Sequence, residues 1–283
     1  QSLVRNYEPT WFGVAGPILS RIAPELLRGT ASDKARRNFI APKNAANLTR
    51  LTGSPTHHIF GMTEGVIMFT RPEDPSEIRE QSIGYPVSDA DEVRIVHPGT
   101  EDPVADGEVG EALFRGPYTI RGYYKSEKED VTRFTADGFY RSGDLMSAQV
   151  VDGKRYYFFL GRIKDVVDRG GEKINAEELE NVINQHPSIL ASAVVGMPDK
   201  VYGERVCAFV LLKPAAASGL TLPELAQYLQ KVGLAKFKWP ERLEVIPEFP
   251  LTASGKLSKV LLRDRIVQML RTEAENDTVH QAK

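Results

Sequence analysis

The sequence has 283 residues, 41% of them hydrophobic and 26% charged, and a net charge of −2. That is an ordinary globular composition, enough for one large or two medium domains, and its charge gives no reason to expect nucleic acid or an anionic membrane as partner. No apolar run is long enough to span a bilayer, and the lone cysteine, Cys207, excludes an internal disulfide, so a reducing, cytoplasmic setting is expected.

The chain opens on Gln1-Ser2-Leu3-Val4-Arg5-Asn6, with no initiating methionine and no secretory apolar region, and reads as a fragment or a processed product. Residues 1–58 carry few signals. Ile18–Leu27 suits a short helix broken at Pro24, and Phe39-Ile40 suits the end of a strand before Ala41-Pro42-Lys43-Asn44. Phe60-Gly61-Met62-Thr63-Glu64-Gly65 then precedes the apolar run Val66–Phe69. Glycines on both sides of a Thr-Glu pair predict a tight loop whose hydroxyl and carboxylate face a phosphate and its metal; taken alone, the same residues read as an ordinary turn with a solvated glutamate. Glu92–Val96 alternates with period two and Gly107–Phe114 enters a second strand, with turn clusters between them, which predicts a small antiparallel barrel or sheet. A polar helix is expected near Glu127–Phe134. Asp144 follows Gly143 in Tyr140-Arg141-Ser142-Gly143-Asp144, where its carboxylate suits two vicinal hydroxyls of a ribose or, equally, nearby backbone amides. Arg155–Leu160 reads as a strand.

The stretch Gly161–Ile174 holds four cationic side chains and three glycines in fourteen residues, unlike a passive linker. Arg162 and Lys173 suit anions or hydroxyls, and Gly170-Gly171 permits close backbone approach. Asn175-Ala176-Glu177-Glu178 predicts a helix start, with Leu179, Val182 and Ile183 on its buried face. Ser192–Met197, Arg205–Leu212 and Leu243–Ile246 read as strands, Thr221–Glu224 as a capping box before Leu225 and Leu229, and Leu257–Leu270 as a final helix. The order predicts a small split βαβ domain, with residues 271–283 fraying as a disordered tail. Pro250-Leu251-Thr252-Ala253-Ser254-Gly255-Lys256 is a loop that ends on a lysine able to reach a carboxylate and a phosphate together.

Taken in order, Phe60–Glu64, Tyr140–Asp144, Gly161–Asp165, Arg169–Ile174 and Pro250–Lys256 resemble successive core motifs of the adenylate-forming superfamily. Phe60–Gly65, Thr70–Ile78 and Arg115–Thr119 are most similar to its stand-alone aryl-acid adenylating members, of the 2,3-dihydroxybenzoate–AMP ligase type found in siderophore and nonribosomal peptide biosynthesis. The resemblance runs from Ile59 to Arg263.

It implies an α/β and α+β architecture. Residues 1–161 would be the C-terminal, strand-rich portion of the large ATP- and aryl-acid-binding domain, and residues 162–270 a small mobile C-terminal lid. It implies adenylation of an aryl carboxylic acid by ATP with Mg²⁺, then transfer to a carrier-protein phosphopantetheine thiol. Gly61, Met62 and Thr63 would meet the nucleotide, with Thr63 at the α-phosphate and Glu64 holding Mg²⁺. Asp144 and Arg162 would take the ribose, and Phe159 would pack on the nucleoside. Asn44, Ile59 and Ile67 would line the aryl pocket, and Lys256 would bridge the aryl carboxylate and α-phosphate. Lys164 would be the hinge about which the lid rotates, replacing the Lys256 loop by the Gly170, Gly171 and Lys173 loop for the thiol step. The superfamily's upstream Gly/Ser/Thr-rich phosphate loop has no counterpart in these residues. The competing readings are an aryl- or acyl-CoA ligase, and a non-catalytic fragment that keeps a carrier-docking surface.

Overall fold

The computed structural model describes residues 11–13, 38–41, 49, 54–126, 131–216, 219–253 and 255–281. The helix expected at 18–27, residue Asn44, and the first part of the helix expected near Glu127 lie outside them. The chain divides into two compact units, Gln1–Leu160 and Gly161–Lys283.

The first unit holds two sheets. In one, β1 (Trp11–Gly13), β2 (Asn38–Ala41) and β3 (Thr56–Met62) run parallel, and β4 (Gly65–Phe69) and β5 (Tyr85–Pro86) add antiparallel strands, with helix α1 (Ser76–Gln81) between these last two in sequence. In the other, β6 (Glu92–Val96), β7 (Gly110–Arg115), β8 (Tyr140–Val151) and β9 (Lys154–Arg162) are neighbours in sequence order. Of the barrel and the sheet that the alternating strands allowed, the sheet forms. Asp152 and Gly153, both at positive φ (49° and 77°), make the tight turn between β8 and β9. Main-chain bonds between Ile83 and Tyr157 and between Tyr157 and Gly84 stitch the two sheets together. Their shared core contains Val66, Met68, Ile95, Ala112, Phe114, Met146 and Tyr157, with Phe60 and Phe159 packed against it.

In the second unit, β10 (Val166–Arg169) and β11 (Glu172–Asn175) form a hairpin, and helix α2 (Ala176–Ile183) leads to the long hairpin of β12 (Ile189–Asp199) and β13 (Gly203–Leu212). Helix α3 (Leu222–Lys231) crosses to β14 (Arg242–Val245), which pairs in parallel with β13. The crossover therefore joins adjacent strands and is not split, because β10 meets β13 only at Arg169–Gly203 and leaves the rest of that edge to β14. Asn175 caps α2 by accepting from the main chain of Glu177 and Glu178, and Thr221 with Glu224 forms the capping box of α3. Leu179, Ile183, Leu225 and Leu229 are essentially inaccessible, and burying each contributes roughly 1.5–3 kcal/mol.

The last helix, α4, runs Lys259–Gln281, so the tail expected to fray from residue 271 is helical to Gln281. Apolar spacing marks only the part that packs, through Leu262 and Ile266. Beyond Leu270 the residues 271–275 are exposed, and Arg242 of β14 ties this part of the helix by donating to the Glu273 carboxylate at 2.8 and 2.6 Å. Among the described residues no helix is long and apolar enough to cross a membrane.

Candidate active site

The hairpin of β3 and β4 is the centre of the site in the first unit. Ile59 pairs with Phe69 and Gly61 with Ile67, so period-two alternation puts these four on one face and Phe60, Val66 and Met68 on the other. The latter face belongs to the core: Val66 and Met68 are buried, and the Phe60 ring lies 5.7 Å from Phe159 and 6.2 Å from Phe114. The former is open, with Ile67 44% exposed and a Cβ on Gly61 falling 3.6 Å from the Ile67 side chain. Ile59, Gly61 and Ile67 thus form a flat apolar strip. The nucleoside role expected for Phe159 has to share that ring with the core.

Thr63 and Glu64 are the two-residue tip of this hairpin. Gly65 closes it at φ +141°, and any Cβ there would fall 2.5 Å from Thr119 Cα, so the tip is seated directly on the loop that follows β7. Val66, β-branched yet at φ +53°, is held in a costly conformation beside it. The Ile120 amide donates to the Glu64 carbonyl at 2.7 Å. Thr63 Oγ1 donates to Glu64 Oε2 at 2.9 Å, and the Tyr123 hydroxyl donates to Oε1 at 3.1 Å. Partial burial alone would raise the Glu64 pKa; the hydrogen bonds from Thr63, its own backbone amide and Tyr123, with the charge of Arg133, outweigh it and hold the carboxyl below its ordinary range. The carboxylate is therefore ionised and pre-oriented. A cleft of about 440 Å³ opens beside this loop, lined by Arg115, Thr119, Ile120, Arg121, Phe134 and Thr135, within the size range of small-molecule sites.

Asp144 was expected just after a glycine turn. It lies instead within strand β8, 2% exposed, at a bulge where the pairing with β7 shifts register between Glu111 and Leu113. Gly143 supplies the positive φ (70°) of the bulge, and Ser142 satisfies its backbone by donating to the Ala112 carbonyl at 2.7 Å and accepting from the Asp144 amide at 3.0 Å. Bulges re-aim side chains in this way; the sequence showed the glycine but not the strand around it.

The second unit carries the remaining expected residues. Arg162 is exposed at the end of β9. Before it, Gly161 sits at φ +112°, where a Cβ would be strained and would crowd Asn175 Oδ1 and Glu177 Cβ at 3.1 Å. The Lys164 carbonyl and the Asp165 carboxylate are both held by Arg263 of α4, at 2.9 and 2.7 Å. Gly170 and Gly171, at φ 62° and 97°, turn β10 into β11. Asp168 receives the Gly171 amide at 3.0 Å and the Lys173 ammonium at 2.5 Å, so this lysine is paired and not simply extended toward solvent. Lys256 is exposed on a loop tied by Thr252, whose amide donates to the Lys256 carbonyl at 2.7 Å and whose hydroxyl accepts the Lys256 amide at 3.1 Å. These bonds hold its backbone, and its exposed side chain points away from that turn's core. Tyr123 and Arg263 were missed from the sequence, and Tyr140 stood in the Tyr140–Asp144 motif without a role, because a side chain's spacing gives no signal of what it touches.

The AMP-binding enzyme family matches residues 2–124, and the AMP-binding enzyme C-terminal domain matches residues 178–256. The chain belongs to the adenylate-forming enzymes. It is 46% identical over 230 residues to pyochelin synthase PchD of Pseudomonas aeruginosa, covering 81% of this chain and 41% of that protein. It is 43% identical over 226 residues to the 2,3-dihydroxybenzoate-AMP ligase of Bacillus subtilis, covering 80% and 41%. Among solved structures, ATP-bound MatB from Rhodopseudomonas palustris superposes with a TM-score of 0.79 at 26% identity, over 93% of this chain and 52% of that one. The chain thus spans about two fifths of the length of the curated relatives it matches.

Adenylate-forming enzymes use ATP with Mg²⁺, and the hairpin tip of this adenylate-forming chain fits that pair. One ionised carboxylate and one hydroxyl are hard oxygen donors. A cation held by one carboxylate takes most of its ligands from phosphate and water, as Mg²⁺ does.

Proposed function

We propose that the protein adenylates an aryl carboxylic acid with ATP and then passes the aryl group to the phosphopantetheine thiol of a carrier protein. The observation that carries this is the β3–β4 hairpin, which joins an apolar strip of Ile59, Gly61 and Ile67 to an oriented Thr63–Glu64 tip on one rigid element. The strip suits a flat ring, and the tip suits the phosphates that the ring's carboxylate must reach. The aryl-acid specificity is supported by the 2,3-dihydroxybenzoate-AMP ligase named above. The single buried thiol of Cys207 fits a cytoplasmic setting.

In the first step a carboxylate oxygen attacks the α-phosphorus, and the bond to the β-phosphate breaks as pyrophosphate leaves with its electron pair. Thr63 would donate to an α-phosphate oxygen, with Gly61 and Met62 leaving room for the nucleotide beside it. Glu64 would hold Mg²⁺, which supplies charge neutralisation when bound. Asp144 would accept the two ribose hydroxyls, with Arg162 beside them and Phe159 against the nucleoside. Lys256 would place its ammonium between carboxylate and phosphate, where negative charge is shared in the transition state. In the second step the thiol sulfur attacks the acyl carbon as its proton passes to solvent, and the acyl–oxygen bond breaks so that AMP leaves with the electron pair. For this step the hinge at Lys164 would bring the Gly170, Gly171 and Lys173 loop forward in place of Lys256.

The test is carboxylate-dependent ATP–pyrophosphate exchange in the complete protein across a panel of benzoates and alkyl acids. Exchange confined to aryl acids is the expected result, and no exchange with any acid overturns the proposal. Transfer to free coenzyme A in preference to a carrier protein would overturn the second half alone.

A further inference from the structure

Glu64 is the last member of a hydrogen-bond chain that begins inside the core of the first unit. The hydroxyls of Tyr140 and Tyr123 lie 3.0 Å apart, and that of Tyr123 donates to Glu64 Oε1 at 3.1 Å. A phenol has one proton. With the Tyr123 proton committed to the carboxylate, Tyr140 is the donor within the tyrosine pair. The chain therefore runs one way, from Tyr140 to Tyr123 to Glu64, and each link polarises the next.

Its inner end is anchored. Tyr140 is 4% exposed, opens strand β8, pairs with Phe114 of β7, and meets the Phe134 ring edge-on at 5.4 Å. Its outer end is gripped twice by the segment after β7, through the Ile120 amide on the Glu64 carbonyl and through Tyr123 on the carboxylate. The adjacent Tyr124, 88% exposed, has no such role.

The two side-chain supports of the carboxylate are not equivalent. Thr63, on Oε2, is exposed at the hairpin tip, where its hydroxyl can rotate toward a phosphate. Tyr123, on Oε1, comes from a different segment tied to the core. The two oxygens of a carboxylate offer four acceptor directions, so Thr63, Tyr123 and the Glu64 amide leave one for a cation. We propose that Tyr123, backed by Tyr140, is a positioning residue that keeps Glu64 in its metal-facing rotamer when the Thr63 hydroxyl turns to the nucleotide. This rests on the reading of Glu64 as the metal-holding carboxylate.

The experiment is Mn²⁺ titration of the complete protein in the presence of α,β-methylene-ATP, followed by electron paramagnetic resonance of the free ion, for wild type and for Tyr123→Phe, Tyr140→Phe and Glu64→Gln. Metal binding should weaken roughly tenfold in Tyr123→Phe, the range typical of groups that orient a ligand, and by a smaller factor of about two to three in Tyr140→Phe, which acts at one remove. Binding of the analogue without metal, and the melting temperature, should match wild type. Unchanged metal affinity in Tyr123→Phe alongside weakened affinity in Glu64→Gln overturns the positioning role alone. Unchanged affinity in both removes Glu64 as the metal carboxylate and the proposal with it. An equal loss of analogue binding with and without metal marks the tyrosines as merely structural and also overturns the proposal. Should Tyr123→Phe fail to fold, the same criteria applied to Tyr140→Phe decide the matter.

Discussion

Acid should loosen the strand that carries the site, and His58 is the sharpest place to see it. His58 follows the fully buried His57 in β3. Its surroundings desolvate the ring and push its pKa down to about 4, against an ordinary 6.5, despite an opposing hydrogen bond with the main chain of Ser82. The unfolded chain thus takes up this proton at a higher pH than the folded one. The stability that comes from keeping the ring neutral is complete above the unfolded value and drains away as pH falls toward the folded one. Between about pH 7.5 and about pH 5 the loss from this one group integrates to about 2 kcal/mol. Most carboxylates remain ionised over that window, so it isolates the imidazoles. His58→Gln keeps an amide for the Ser82 main chain but cannot titrate. Urea unfolding of wild type and variant at the two pH values should therefore show a pH-dependent loss smaller by about 2 kcal/mol in the variant. Equal losses would refute the assignment. His57, which burial also shifts downward, with the charge of Arg79 adding to the effect, contributes with the same sign.

Three further outcomes follow from the geometry. Lys256→Ala should lower ATP–pyrophosphate exchange by about 10²–10³-fold while thiol capture of a preformed aryl-adenylate survives; equal loss of both half-reactions would count against exchange of the two loops. In Gly65→Ala the new methyl, on a residue at φ +141°, must displace the Thr119 backbone 2.5 Å away, so stability should fall by about 2 kcal/mol and exchange by roughly tenfold or more. A variant with wild-type values of both would mean that the hairpin tip does not depend on that seat. Lys259→Met leaves the Glu180 carboxylate, 2.6 Å from the lost ammonium and also accepting from the Val194 amide, without its counter-charge in a buried place. Stability at neutral pH should drop by about 3 kcal/mol or more. Burial already raises the Glu180 pKa against the pull of Lys259, so the deficit should shrink as pH falls and the carboxyl protonates. A deficit constant with pH would argue that packing, not charge, is what was lost.

The sequence by itself determined the order of the chemistry. Thr63 and Glu64 between glycines, the caps at Asn175 and Thr221, and the turn residues at Gly170-Gly171 are local features, and local spacing is sufficient to specify a turn or a helix start. Ile59 and Ile67 were picked out by the family resemblance, and the pairing of β3 with β4 is what puts them on one apolar face. What depended on distant partners was out of reach. The bulge that buries Asp144 exists because β8 pairs with β7, thirty residues earlier. The choice of Tyr123 over Tyr124 as the partner of Glu64 is made by which side of the segment meets β8. The tie between α4 past Leu270 and β14 is made by Arg242, which donates to the Glu273 carboxylate thirty-one residues later. Burial, desolvation and side-chain pairing between remote segments are properties of the packed chain, and only the tertiary structure decides them.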